Sequence, residues 1–287
     1  MTLYVPQGQD FQWYYSNTLA TQPTAGYGAT ITPTTTAGAF GAWTQLASAA
    51  NIPYDVYGVQ ICFNNGATSA ANRLTFVNIG YDPAGGTSYT VKIPYLMASK
   101  AYPYNAAPSG IWYYFPIFIP AGSSIAAQAT SSVATTFNCS AYFYGRPRKP
   151  EAIRVGHYVD VFGLNTTTRA GTAMTGGTTA EGAFSASLGT TSKHYWWWQA
   201  GLGSETTTVN GGMYHMDLIG GASTTAGNYK FLLENQVWFS TTAEQVGNLP
   251  LTQGCYNNLS SGQNLYARLQ GTVAGTSMTA VAYGLGG

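Results

Sequence analysis

The sequence predicts an all-β chain: two tandem antiparallel β-sandwich domains, jelly-roll-like, that arose by an internal duplication. Three observations carry this. Short apolar runs rich in aromatic and β-branched residues recur along the whole chain, each bounded by Gly, Pro, Asn, Ser or Thr, as strands of an antiparallel sandwich are. No window carries a capped, 3.6-periodic apolar stripe of helical length. The second half repeats the first at an offset of 139 to 141 residues, far too long a period for a solenoid.

The segment 110–145 shows the pattern most densely: an aromatic run at Trp112-Tyr113-Tyr114-Phe115, a Pro120-Ala121-Gly122-Ser123 turn, an apolar stretch and a second aromatic run. In chain order, residues 1–25 form an N-terminal arm or docking segment around Phe11-Gln12-Trp13-Tyr14-Tyr15. Domain 1 covers 26–145, with strands expected at 43–46, 54–63, 73–81, 89–96, 111–119, 124–129 and 137–144. A linker follows at 146–154. Two prolines and the basic cluster Arg146, Arg148, Lys149 and Arg154 make it an extended connection. It reads either as a solvated linker or as a basic clip on an acidic partner. Domain 2 covers 155–287. Gly41-Ala42-Trp43 falls on Gly182-Ala183-Phe184, Ile79-Gly80 on Ile219-Gly220, Gly122 on Gly262, and Tyr144-Gly145 on Tyr283-Gly284.

Composition narrows the function. Charged residues are 7% of the chain, against roughly 25% in an ordinary soluble domain. The net charge of +1 gives no broad field for nucleic acid or an anionic membrane, so neither partner is expected. The 45% apolar and 14% aromatic content argues against disorder. No apolar run is long enough for a membrane-spanning helix, and the start lacks the basic and apolar regions of a secretory signal. Synthesis in the cytosol follows, so the sequons at Asn138, Asn165 and Asn258 carry no meaning. Cys62, Cys139 and Cys255 are odd in number and lack paired spacing, which suits reduced, buried thiols.

The chain has ten acids and three histidines, and none forms a recognised catalytic or metal motif. There is no GxSxG elbow, Walker loop or HExxH. His215-Met216-Asp217 puts an imidazole and a carboxylate on one strand face. That pair reads as a satisfied polar pair or as the start of a site, and the first copy has no acid where Asp217 stands. No enzyme, cofactor or metal is expected. In Tyr195-Trp196-Trp197-Trp198, strict alternation sends Tyr195 and Trp197 to one face, Trp196 and Trp198 to the other. One pair fills the core, which leaves two large rings for an interface or a glycan platform. Trp112 and Tyr114 pose the same question in the first copy.

The Thr/Gly-rich opening, Gly41-Ala42-Trp43, the run Ile119-Pro120-Ala121-Gly122-Ser123-Ser124-Ile125-Ala126-Ala127 and the closing Tyr144-Gly145-Arg146-Pro147 together resemble virion structural proteins of tailed bacteriophages. The resemblance covers most of the chain and rests on turn and strand motifs. The second copy departs from it at Leu259-Ser260-Ser261-Gly262, where the proline is lost. It implies a non-enzymatic protein of the virion, made in the host cytoplasm and displayed as a capsid decoration or a neck or tail fibre component. Its partners would be itself, with a trimer as one number, and other virion proteins. The alternative is a carbohydrate-binding adhesin that meets host surface polysaccharide through exposed aromatics.

Overall fold

The structure, a computed structural model, describes residues 12–15, 28–64, 75–98, 111–134, 136–146, 154–178, 180–203, 212–240, 247–248, 254–272 and 277–287. Its described residues are almost all β, with one 3₁₀ turn at Ala49–Asn51. Among the described residues no helix is long and apolar enough to cross a membrane.

The first half holds β1 (Gln12–Tyr15), β2 (Ala29–Ile31), β3 (Thr44–Ala47), β4 (Asp55–Asn64), β5 (Thr75–Asp82), β6 (Thr90–Met97), β7 (Ile111–Phe115), β8 (Ser124–Ser131) and β9 (Phe137–Arg146). The second holds β10 (Tyr158–Phe162), β11 (Thr172–Thr175), β12 (Ala186–Thr190), β13 (Tyr195–Gly203), β14 (Gly212–Gly221), β15 (Tyr229–Ser240), β16 (Gly247–Asn248), β17 (Cys255–Leu259), β18 (Asn264–Gly271) and β19 (Ser277–Gly286).

All pairings between these strands are antiparallel, in four sheets. In the first half β2-β9-β4-β7 faces β3-β8-β5-β6, with β1 beside β9 and end to end with β2. In the second, β11-β19-β13-β17 faces β12-β18-β14-β15, with β10 beside β19 and β16 added outside β15. Both halves thus carry the same eight-strand jelly-roll order, strand for strand. The duplication extends to the turns. Gly122 and Gly262 both sit at positive φ, +74° and +78°, in the loop that enters β8 and β18, where glycine avoids the Cβ penalty.

The registers correct one detail of the repeat. Ile79 lies opposite Ala127, and Leu218 opposite Ala267. The strand β5 therefore matches β14 one residue away from the Ile-Gly coincidence, and Asp217 is the counterpart of Asn78. The first copy does hold a residue of the same shape there, without the charge.

Inward-facing side chains alternate along each strand and fill each sandwich. Ile61, Phe63, Ile79, Phe115, Ile125, Ala127 and Phe143 belong to the first core, and Leu188, Ala200, Tyr214, Met216, Leu218, Leu265 and Met278 to the second. Val159, Trp196, Trp197, Val281, Tyr283 and Leu285 of the second half are packed into the first cluster. The sheet β10-β19-β13-β17 is thus covered on both faces, by its own sandwich and by the first half.

Candidate functional site: the seam between the halves

The seam is built on Tyr283 of β19. Its ring meets Tyr113 edge-on at 5.5 Å and Phe115 at 6.0 Å, the geometry aromatic pairs prefer. Its hydroxyl accepts from Met97 N at 2.8 Å and donates to Tyr95 O at 3.0 Å, while Tyr113 Oη donates to Met97 O at 2.7 Å. One phenol thereby satisfies a buried backbone N–H and a half-buried carbonyl at the edge of β6. Burial holds the Tyr283 and Tyr113 hydroxyls well above the ordinary phenol range, so both stay neutral donors.

Those backbone groups are turned outward by a bulge. Tyr95 has φ +48°, a rare conformation for a bulky residue, and its N–H donates to Asn78 Oδ1 at 2.8 Å. The second half repeats the device. Asn235 has φ +49°, and its N–H donates to Asp217 Oδ1 at 2.7 Å. The surroundings differ. In the first half Phe40 and Phe76 pack on Tyr95, at 5.3 and 6.0 Å, and Asn78 lies opposite Gln128. In the second, Asp217 is 2% exposed, and its Oδ2 accepts from Arg268 Nε at 2.8 Å and Nη2 at 2.6 Å. Arg268 also pairs with Glu181 and lies 4.3 Å over the Phe184 ring. Burial, then the neighbouring Asp217, pushes the Glu181 carboxyl above its ordinary range. The carboxylate of Asp217 is therefore bound to an arginine and a backbone amide. His215 stands opposite Val237 and Gln270.

The aromatic run differs from its expected arrangement. Tyr195, Trp196, Trp197 and Trp198 are all buried, with Trp196 at 1% and Trp198 at 0% exposure, so neither Trp196 nor Trp198 offers a platform. The reason is a register shift between Tyr195 and Trp197 against β17. Such a bulge breaks the alternation of faces. Tyr195 and Trp198 enter the second core, at 5.4 Å from each other, while Trp196 and Trp197 turn to the seam. The exposed ring here is Tyr256, 61% exposed. It stacks on Trp196 at 5.5 Å and meets Trp197 edge-on at 4.7 Å.

Tyr114 is half-buried between Trp197 at 6.0 Å and Tyr144 at 5.6 Å. Trp112 stands on β7 opposite Cys62, and its side chain lies outside the described part. Of the basic cluster, Arg146 pairs with Asp55 in the β4–β9 register; Arg148 and Lys149 lie outside the described residues. Arg154 caps the Trp196 ring at 4.5 Å and donates to Asn258 Oδ1 at 3.1 Å. The seam is further clipped by Arg169, whose Nε donates to Thr130 Oγ1 at 2.9 Å and whose Nη2 donates to Thr35 O. Lys92 Nζ donates to His157 O at 3.0 Å. Among the described residues no three His, Cys, Asp or Glu side chains gather as metal ligands.

No protein-family model matches the chain, and no curated protein matches it. Among solved structures it is similar to PNGF-II, with a TM-score of 0.39 and 8% identity over 96% of this chain. The chain spans 65% of the length of that protein. It is similar to PNGase F, a glycosylasparaginase from Flavobacterium meningosepticum, with a TM-score of 0.35 and 8% identity over 91% of this chain and 94% of the other. A third similarity is to Broad Bean Stain Virus, at 0.30 and 9% over 90% of this chain and 86% of the other. These likenesses are too loose to bear on function.

Proposed function

We propose that the chain is a non-enzymatic structural protein of a tailed-bacteriophage virion, displayed as a capsid decoration or a neck or tail fibre component and working through self-assembly. The observation that carries the reading is the seam. Two copies of one jelly roll already pack together through an aromatic sheet face, fastened by the Tyr283 hydroxyl to backbone groups of the first half. Faces of this kind lose little on desolvation and suit large oligomeric contacts. The same chemistry between chains would give a closed homo-oligomer, a trimer being one candidate, with other virion proteins as further partners. The low charge of the chain and its resemblance to phage virion proteins support the same reading.

The test is the mass of the purified chain by light scattering across a concentration series, with co-sedimentation on particles. A fixed mass of several chains and recovery with particles are expected. A monomer at every concentration that never sediments with particles refutes the reading. The rival adhesin reading loses Trp196 and Trp198 as a stacking platform, because both are inside.

A further inference from the structure

Where β6 of the first half runs beside β10 of the second, the surface opens into a groove of about 310 Å³ lined by Tyr81, Val91, Lys92, His157, Tyr158 and Asp160 among others. Ligand sites favour such junctions between packed units. The two charged groups of its lining, Lys92 and Asp160, are not paired with each other. Lys92 is the ammonium group of the lining, 5.0 Å over the Tyr81 ring; Lys193, outside the lining, lies 4.4 Å over the Tyr158 ring. The groove supplies one carboxylate, Asp160, and it is committed to Lys193, whose Nζ is 2.7 Å from Asp160 Oδ2. The same oxygen accepts from Tyr195 Oη at 2.6 Å. Among the described residues Lys92 Nζ donates to a neutral carbonyl, His157 O, and meets no carboxylate. Burial lowers the affinity of Lys92 for its proton, the signature of a cation taken from water without an anion in return.

The remaining groups describe the rest of a ligand. Among the described residues both bonds to Asp160 use Oδ2, so Oδ1 is the acceptor a hydroxyl would meet. Val91 is 47% exposed on the rim, and with Pro94 and the two tyrosines it forms an apolar wall. A ligand that offers a carboxylate to Lys92, a hydroxyl to Asp160 and a C–H face to the wall meets all three. We infer that this groove binds an acidic sugar residue of the uronate type, with Lys92 receiving its carboxylate and Asp160 its hydroxyl. It goes beyond the assembly reading and does not depend on it.

The probe is a uronate oligosaccharide titrated calorimetrically into the whole chain, against the neutral oligosaccharide of the same linkage and against sodium acetate. The uronate should bind, the neutral sugar at least tenfold more weakly, and acetate should fail to compete. Lys92→Gln should bring the uronate down to the level of the neutral sugar, and Asp160→Asn should weaken both. Thermal melts of the two variants separate lost folding from lost binding. If Lys92→Gln folds normally and binds the uronate unchanged, or if the wild-type chain binds neither sugar, the inference is wrong. Competition by acetate alone would mean an anion site without sugar recognition and would overturn it equally. An oligomer that binds no uronate sinks this inference and leaves the assembly reading standing; a monomer that binds does the reverse.

Discussion

Tyr283 ties the two halves through one oxygen. Replacing it with Phe keeps the ring contacts to Tyr113 and Phe115 and removes the partner of buried Met97 N and of Tyr95 O. Leaving buried polar groups unmade costs about 1–3 kcal/mol, so Tyr283→Phe should lower unfolding free energy by that amount in a urea titration. The thiols make a second residue-scale prediction. Burial raises Cys62 from 9.0 to about 12 and holds Cys139 well above its ordinary value, whereas Cys255 is half-buried. Iodoacetamide at neutral pH should therefore modify Cys255 first, and Cys62 and Cys139 only after denaturation, as read by mass spectrometry. The fold favours the protonated Cys62 thiol. Its contribution is therefore complete below about pH 9 and is lost as pH rises toward about 12, which an alkaline melt would follow.

At the scale of elements, the strands were legible and the bulges were not. The expected strands at 54–63, 89–96 and 137–144 match β4, β6 and β9 closely, because alternation and turn formers are local properties. A bulge adds a residue to one strand according to its partner, and no local pattern announces that. So the faces of Trp197 and Trp198 were exchanged, and the Ile-Gly coincidence hid the match of Asp217 with Asn78. Tyr283 could have been picked out, since its repeat with Tyr144 was visible, but its partner on β6 could not. The Asn78 and Asp217 clamps allow a direct trial. Asp217→Asn alone should cost about 2–3 kcal/mol, as Arg268 loses its buried partner. Adding Arg268→Gln rebuilds the neutral Asn–Gln pairing of the first half. It should recover most of the loss, a coupling that a double-mutant cycle in urea would measure.

Over the whole molecule, the deciding surface is the outer face of β10-β19-β13-β17. Val159, Trp196, Trp197, Val281, Tyr283 and Leu285 are buried there against the first half. At about 1.5–3 kcal/mol for each fully buried large apolar side chain, their shared burial is worth on the order of 10 kcal/mol. Residues 155–287 expressed alone should therefore melt at a lower temperature than the full chain, bind a hydrophobic dye, and associate through this face. A half that stays monomeric with an unchanged melt would show that the seam contributes little.

The clamp at Asp217 also says what joining two copies in one chain makes possible. In a ring of separate identical jelly rolls, any substitution appears at every position at once, so a buried charge would be repeated around the whole circle. Here one copy keeps Asn78 opposite Gln128, while the other carries Asp217, Arg268 and Glu181. Joined in one chain, the two copies can differ in charge at a matched, buried position, neutral at Asn78 and ionic at Asp217.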